Sequence, residues 1–104
     1  MNSPVFRVDK FVVPAAIKDE FLARISDTHT ILQNCDGFVR DQILEQYGGT
    51  GKFNIVTIVE WADQAAIDAA VVAVNAARKE TGFDPQAYMS ESGIEADLAL
   101  YKPT

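Results

Sequence analysis

One histidine, one tryptophan, a threonine four residues before it and an arginine further along carry most of the chemistry this sequence offers. His29 is the only histidine, which excludes any site built on two imidazoles, and histidine is the side-chain type suited to general-base work near neutrality. It lies at the edge of an apolar line, Ile17, Phe21, Ile25 and Leu32. There it either faces a cleft between helix and sheet or sits as a satisfied core-edge histidine. Trp61 has a flat apolar body and one N–H donor, fitting it to wall a pocket for an aromatic ligand as well as to fill a core. Thr57 shares the strand face of Trp61, and its hydroxyl, set among Ile55 and Val59, needs a partner that the backbone alone can supply. Arg78 continues the Ile67, Val71, Val74 line at helical spacing; its guanidinium either reaches an anion at a pocket mouth or extends to solvent. Phe83 and Tyr88 suit a lid over an aromatic ligand or a loop anchor. With Phe21 and Ile25 they are the candidate substrate-binding residues, beside His29, Trp61, Thr57 and Arg78 as candidate catalytic ones.

Other motifs carry less. Cys35 follows Asn34 in a helix-ending turn, where the helix dipole opposes a thiolate. Gly48-Gly49-Thr50-Gly51-Lys52 lacks the full spacing of a phosphate-binding loop and leads into a strand, so it reads as a hairpin turn. Arg7 with Asp9, and Glu95 with Asp97, place charges on single strand faces without a histidine at metal spacing. Ion pairs across a dimer, or water, are the expected partners, and no metal is expected.

Six elements must position these residues. Val5 to Val13 is β-branched and aromatic and stops at Pro14, which suits the start of a helix. The periodicity predicts that helix over Ala15 to Asn34, closed by Asn34 and Gly37. Two strand-like runs, Phe38 to Tyr47 and Lys52 to Trp61, flank the glycine-rich turn and predict a hairpin. Asp63 is the expected N-cap of an alanine-rich helix from Gln64 to Glu80. Asp84-Pro85 starts a short helical turn through Tyr88, and Ile94 to Tyr101 alternates as a last strand.

At 104 residues the chain is one domain, 1–104, large enough to fold without metal or disulfide. Nine Lys and Arg against fifteen Asp and Glu give a net charge of −6, which repels a phosphate backbone and makes nucleic acid an unexpected partner. Met1 to Phe6 shows no charged and then apolar leader pattern, and a single cysteine permits no internal disulfide; a cytoplasmic protein is expected. The longest apolar-rich stretch, Ala65 to Ala77, is interrupted by Asp68 and Asn75 and is shorter than the roughly 20 residues of a membrane span.

Two right-handed crossovers in the order strand, helix, strand, strand, helix, strand give an α+β, ferredoxin-like βαββαβ fold: a four-stranded antiparallel sheet with two helices on one face. The other face is then bare. The run Phe53 to Trp61 is apolar on both sides, with Phe53, Ile55, Val59 and Trp61 on one and Val56 and Ile58 on the other. Water on the bare face is costly, so a homodimer packed sheet against sheet is expected.

The Phe6 to Pro14 strand with its polar Asp9-Lys10, the Gly37-Phe38 opening of the second strand, and Thr57-Ile58-Val59-Glu60-Trp61 running into an alanine-rich helix are diffuse patterns spread over nearly the whole chain. Through them it resembles the antibiotic biosynthesis monooxygenase family of dimeric α/β-barrel proteins. The resemblance implies a barrel-forming homodimer. Some branches of that family oxidise quinols or anthrone-like polyketides with dioxygen and without metal or flavin; others degrade haem, and many have no assigned reaction. Anthrone-type oxygenases favour Asn four residues before the strand-end tryptophan, where this chain has Thr57. The haem-degrading branch has Trp and His where this chain holds Ala70 and Arg78. The expected function is therefore cofactor-independent oxidation of an electron-rich aromatic, such as an anthrone, quinol or polyketide-like phenol. The alternative is a non-catalytic homodimer binding a small apolar metabolite in the same cleft.

Overall fold

The computed structural model of the chain describes residues 3–104; Met1 and Asn2, at the start of the segment read for a leader, lie outside the described residues. Four strands, β1 (Val5–Val12), β2 (Phe38–Glu45), β3 (Ile55–Trp61) and β4 (Glu95–Tyr101), form one sheet in the order β2-β3-β1-β4. Every neighbouring pair is antiparallel. Three helices, α1 (Lys18–Gln33), α2 (Gln64–Thr81) and α3 (Pro85–Ser92), complete the ferredoxin-like arrangement. Among the described residues no helix is long and apolar enough to cross a membrane.

Local chemistry sets the boundaries. Pro14 ends β1 and opens a 3-10 turn, Ala15–Ile17, before α1 begins, so the expected single helix is divided at its first turn. Asp63 caps α2 as its residue type suggests, accepting a hydrogen bond from the Ala66 N–H at 2.9 Å. Asn34 closes α1 with φ −95°, and the left-handed step falls to Gly37 at φ 84°. A Cβ on Gly37 would overlap the Ala66 methyl group, so glycine and alanine together let α2 approach the sheet. The Asp84 side chain accepts from the N–H groups of Gln86 and Ala87, and Pro85 occupies the first helical position. The expected turn through Tyr88 therefore grows into a full helix reaching Ser92. The hairpin strands are shorter than expected at their turn ends: Gln46 and Tyr47 fall outside β2, and β3 begins only at Ile55.

On β3 the burial alternates. Ile55, Thr57, Val59 and Trp61 are buried toward the helices, whereas Val56, Ile58 and Glu60 are half-buried on the opposite face. Beneath the helices the core forms two clusters. Phe11, Val13, Phe21, Ile25, Ile55 and Ile94 make one, and Val59, Trp61, Ile67 and Ala70 make the other.

Candidate active site

A cavity of about 350 Å³ lies between sheet and helices, lined from both clusters. The sheet supplies its floor through Arg7, Asp9, Thr57, Val59 and Trp61. Register explains why they converge: Arg7 is paired with Val59, and Asp9 with Thr57. Helix α1 contributes Phe21, Arg24, Ile25 and His29, α2 contributes Ile67, Ala70, Val74 and Arg78, and the segment carrying α3 contributes Phe83 and Tyr88. All the candidate residues read from the sequence thus lie around one cavity. Cys35 and the glycine-rich turn are not among its lining residues; the thiol donates to the Ile31 carbonyl at 3.4 Å.

His29 is buried, with 6 % of its surface exposed. Its Nδ1 lies 2.7 Å from Asp41 Oδ2, and Asp41 also accepts from Gln33 Nε2 at 3.2 Å. Against an ionised carboxylate Nδ1 carries the proton, which leaves the lone pair of a neutral imidazole on Nε2. That nitrogen has no partner among the described residues. Asp41 was not among the sequence candidates, and the reason is geometric. Counting alternately from Phe38 places Asp41 on the opposite face, but a bulge between Phe38 and Arg40 reverses the alternation. Phe38 and Asp41 consequently share the helix-facing side, opposite Trp61 and Val59.

Thr57 and Trp61 are 4 % and 2 % exposed. Neither the Thr57 hydroxyl nor the Trp61 indole N–H makes a hydrogen bond within the described chain, so of the two readings of Thr57 the backbone partner is not the one made. Phe38 presents its ring to Trp61 nearly perpendicularly, 5.7 Å between centroids, which holds the indole in place. At the far end Tyr88 stacks on Phe21 at 6.5 Å and meets Phe83 at 5.7 Å. Arg24, which lies off the apolar line of α1, covers these rings at 4.4 Å from Phe83 and 4.6 Å from Tyr88. The Tyr88 hydroxyl is fully buried and has no hydrogen-bond partner among the described residues.

The charged floor corrects a second expectation. Arg7 Nε donates to Asp9 Oδ1 at 2.6 Å within β1 itself, and Glu95 pairs with Lys52 of the hairpin loop; both pairs are internal to the chain. Burial raises the Asp9 carboxyl above the ordinary aspartate range, an effect the Arg7 hydrogen bond and charge and, more weakly, His29 oppose. Burial, reinforced by the charge of Arg7, lowers Arg78 from its ordinary value. Among the described residues no three His, Cys, Asp or Glu side chains gather as a metal site would require.

The arrangement therefore offers a proton acceptor held from behind by a carboxylate, two uncommitted donors on the floor, a cationic group on the opposite wall and aromatic surfaces between them. Such a cavity can bind a flat apolar molecule, remove a proton from it and exclude water.

No family model matches the sequence, and no curated protein matches it either. Solved structures do match the fold. A mutant form of SnoaB, a cofactor-independent oxygenase from Streptomyces nogalater, superposes with a TM-score of 0.70 at 24 % identity, covering 97 % of this chain and 93 % of that one. The heme-degrading protein Rv3592 from Mycobacterium tuberculosis gives 0.64 at 18 % identity over 98 % and 92 %. A dabb family protein with a ferredoxin-like fold from Mesorhizobium loti gives 0.69 at 18 % identity over 98 % of both chains. At these identities the likeness is one of fold.

Proposed function

We propose that the chain is a cofactor-independent monooxygenase that oxidises an electron-rich aromatic, an anthrone, quinol or polyketide-like phenol, with dioxygen. The observation that carries this reading is the convergence of the Asp41-held His29, the unbonded Thr57 hydroxyl and Trp61 N–H, and Arg78 on one aromatic-walled cavity. SnoaB, described as a cofactor-independent oxygenase, supports it through the shared fold.

The substrate supplies the reducing electrons. His29 Nε2 takes a proton from the bound ring, Trp61 and Thr57 hold its oxygen substituent, and Arg78 steadies the negative charge that develops. The resulting carbanion or phenolate passes one electron to dioxygen, and the two radicals combine to form a C–O bond. With a proton returned, the substrate hydroperoxide loses water: a C–H proton leaves, the O–O bond breaks and a carbonyl forms. One atom of dioxygen enters the product and the other leaves as water. Val59, Ile67 and Ala70 keep bulk water from the intermediates.

The homodimer belongs to this proposal. Phe6, Val8 and Val12 share the bare sheet face with Val56, Ile58, Leu44 and Tyr101, and Leu44 and Tyr101 are 44 % and 49 % exposed. A second copy covers that apolar surface and closes a barrel. A second reading, a homodimer that binds a small apolar metabolite without turnover, is favoured by Thr57 where the anthrone-type enzymes this chain resembles have Asn. Conversion of an anthrone to its quinone by the wild type, His29→Ala and Trp61→Phe separates the two. The oxygenase reading predicts at least a tenfold loss in each variant. Full turnover in both variants removes these assignments, and tight binding with no product favours the metabolite binder.

A further inference from the structure

The chain is acidic overall, yet the cavity is not. Of its four arginines, Arg7, Arg24 and Arg78 line the cavity, whereas of fifteen Asp and Glu only Asp9 does. The compensation is uneven. Arg7 is bonded to Asp9, and Arg24 lies 3.7 Å from Glu20, one turn earlier on α1. Arg78 has no ion-pair or hydrogen-bond partner for its guanidinium among the described residues, although it is half-buried beside Val74 and the aromatic end of the cavity. A partly desolvated guanidinium without an acid is costly. An acidic chain that gathers its arginines around one apolar cavity focuses positive potential there.

We propose that the cavity selects planar aromatic ligands bearing a carboxylate, with Arg78 as the counter-ion. The inference names the ligand class of the cavity described above and rests on its being the binding site; for a ligand of this class Arg78 holds the carboxylate, and Trp61 and Thr57 are the donors left for the charge that develops on the ring. The fork of the guanidinium receives both oxygens of a carboxylate, a geometry an ammonium does not reproduce. The ring then lies against Trp61 and Ile67 on one side and the Phe83–Tyr88 end on the other. Burial and the charge of Arg7 both weigh against the lone cation on Arg78, and an arriving anion relieves both. Arg7 is held by Asp9 and sits second to Arg78 in this role. The net charge of −6 slows the approach of anions from a distance, so the selectivity resides in the bound state.

Calorimetric titration with a matched pair, anthracene-9-carboxylate and 9-anthracenemethanol, tests the assignment without any turnover. The carboxylate is expected to bind at least tenfold more tightly than the alcohol. Arg78→Gln should abolish that preference while leaving the alcohol's affinity within twofold, and Arg78→Lys should retain only part of it. Lys79→Gln, the same change in net charge one residue along on the exposed side of α2, should leave the preference intact. Circular dichroism on each variant confirms the fold, and the wild type carries the test if a variant fails: raising the salt should weaken the carboxylate and not the alcohol. Equal affinities in the wild type, or a preference that survives Arg78→Gln, overturn the assignment and leave the aromatic cavity standing. Binding of neither probe overturns the cavity itself and the assignment with it.

Discussion

The two faces of the sheet are built from the same strands and differ in what they leave unsatisfied. At the centre of the helix side, Ile55, Val59 and Trp61 are sealed by α1 and α2, and the groups there without a partner among the described residues are polar: the Thr57 hydroxyl, the Trp61 N–H, the second nitrogen of His29 and the Arg78 guanidinium; Ile43, Leu98 and Leu100 on the outer strands of that face stay exposed. On the bare side, Arg40 donates to Glu60 at 2.8 Å, and apolar surface is left open through Ile58, Leu44 and Tyr101. Unpaired donors around a cavity call for a small ligand, and uncovered apolar surface calls for a second chain. The difference supports the proposal that chemistry belongs to one face and assembly to the other.

The comparison breaks most visibly at Trp61. Truncating it to alanine removes the centre of the second core cluster and is expected to cost about 3–5 kcal/mol in denaturant unfolding. Tyr101→Ala on the bare face should leave the stability of the subunit nearly unchanged and register in association. Next in size, a charge placed on the bare face by Ile58→Asp should halve the mass seen by light scattering at micromolar concentration while the protein stays folded. A wild type already monomeric there removes the dimer from the account.

Much of this division was legible in the sequence. Alternation along β3 placed Thr57 with Trp61 and opposed them to Ile58, and helical spacing placed Phe21, Ile25 and Arg78 on inward faces. Asp41 was not legible, because the bulge after Phe38 reverses the alternation and pairing register is a tertiary property. The sequence also did not disclose that Asp9 answers Arg7 within one strand, or that Arg24, off the apolar line, folds over Phe83 and Tyr88. Long side chains choose partners after the backbone is placed. α3 outgrew its expected turn because the Asp84 cap and Pro85 stabilise a start whose length is set by Tyr88 and Met89 packing onto the core.

Two smaller effects sharpen the helix side. Thr57→Val replaces a cavity-facing hydroxyl that bonds to nothing in the described chain by a methyl group, so it is expected to leave stability within about 1 kcal/mol while lowering turnover; a larger loss of stability reveals a hydrogen bond that this account lacks. Asp9→Asn tests the floor. Because burial raises the folded-state pKa of Asp9, ionisation at neutral pH works against the fold, and that penalty fades as pH falls through the raised value toward 3.8. The variant should therefore be more stable than the wild type at pH 7, with the advantage shrinking as pH falls toward 3.8. An advantage that grows on acidification contradicts the assigned direction.

Oxygen uptake by metal-stripped protein offered anthrones and hydroquinones, corrected for autoxidation and run beside Trp61→Phe, tests the central claim most directly. The account predicts protein-dependent uptake that falls at least tenfold in the variant, with one atom of isotopically labelled dioxygen recovered in the quinone. Uptake no greater than autoxidation across the panel, or equal in the variant, contradicts it.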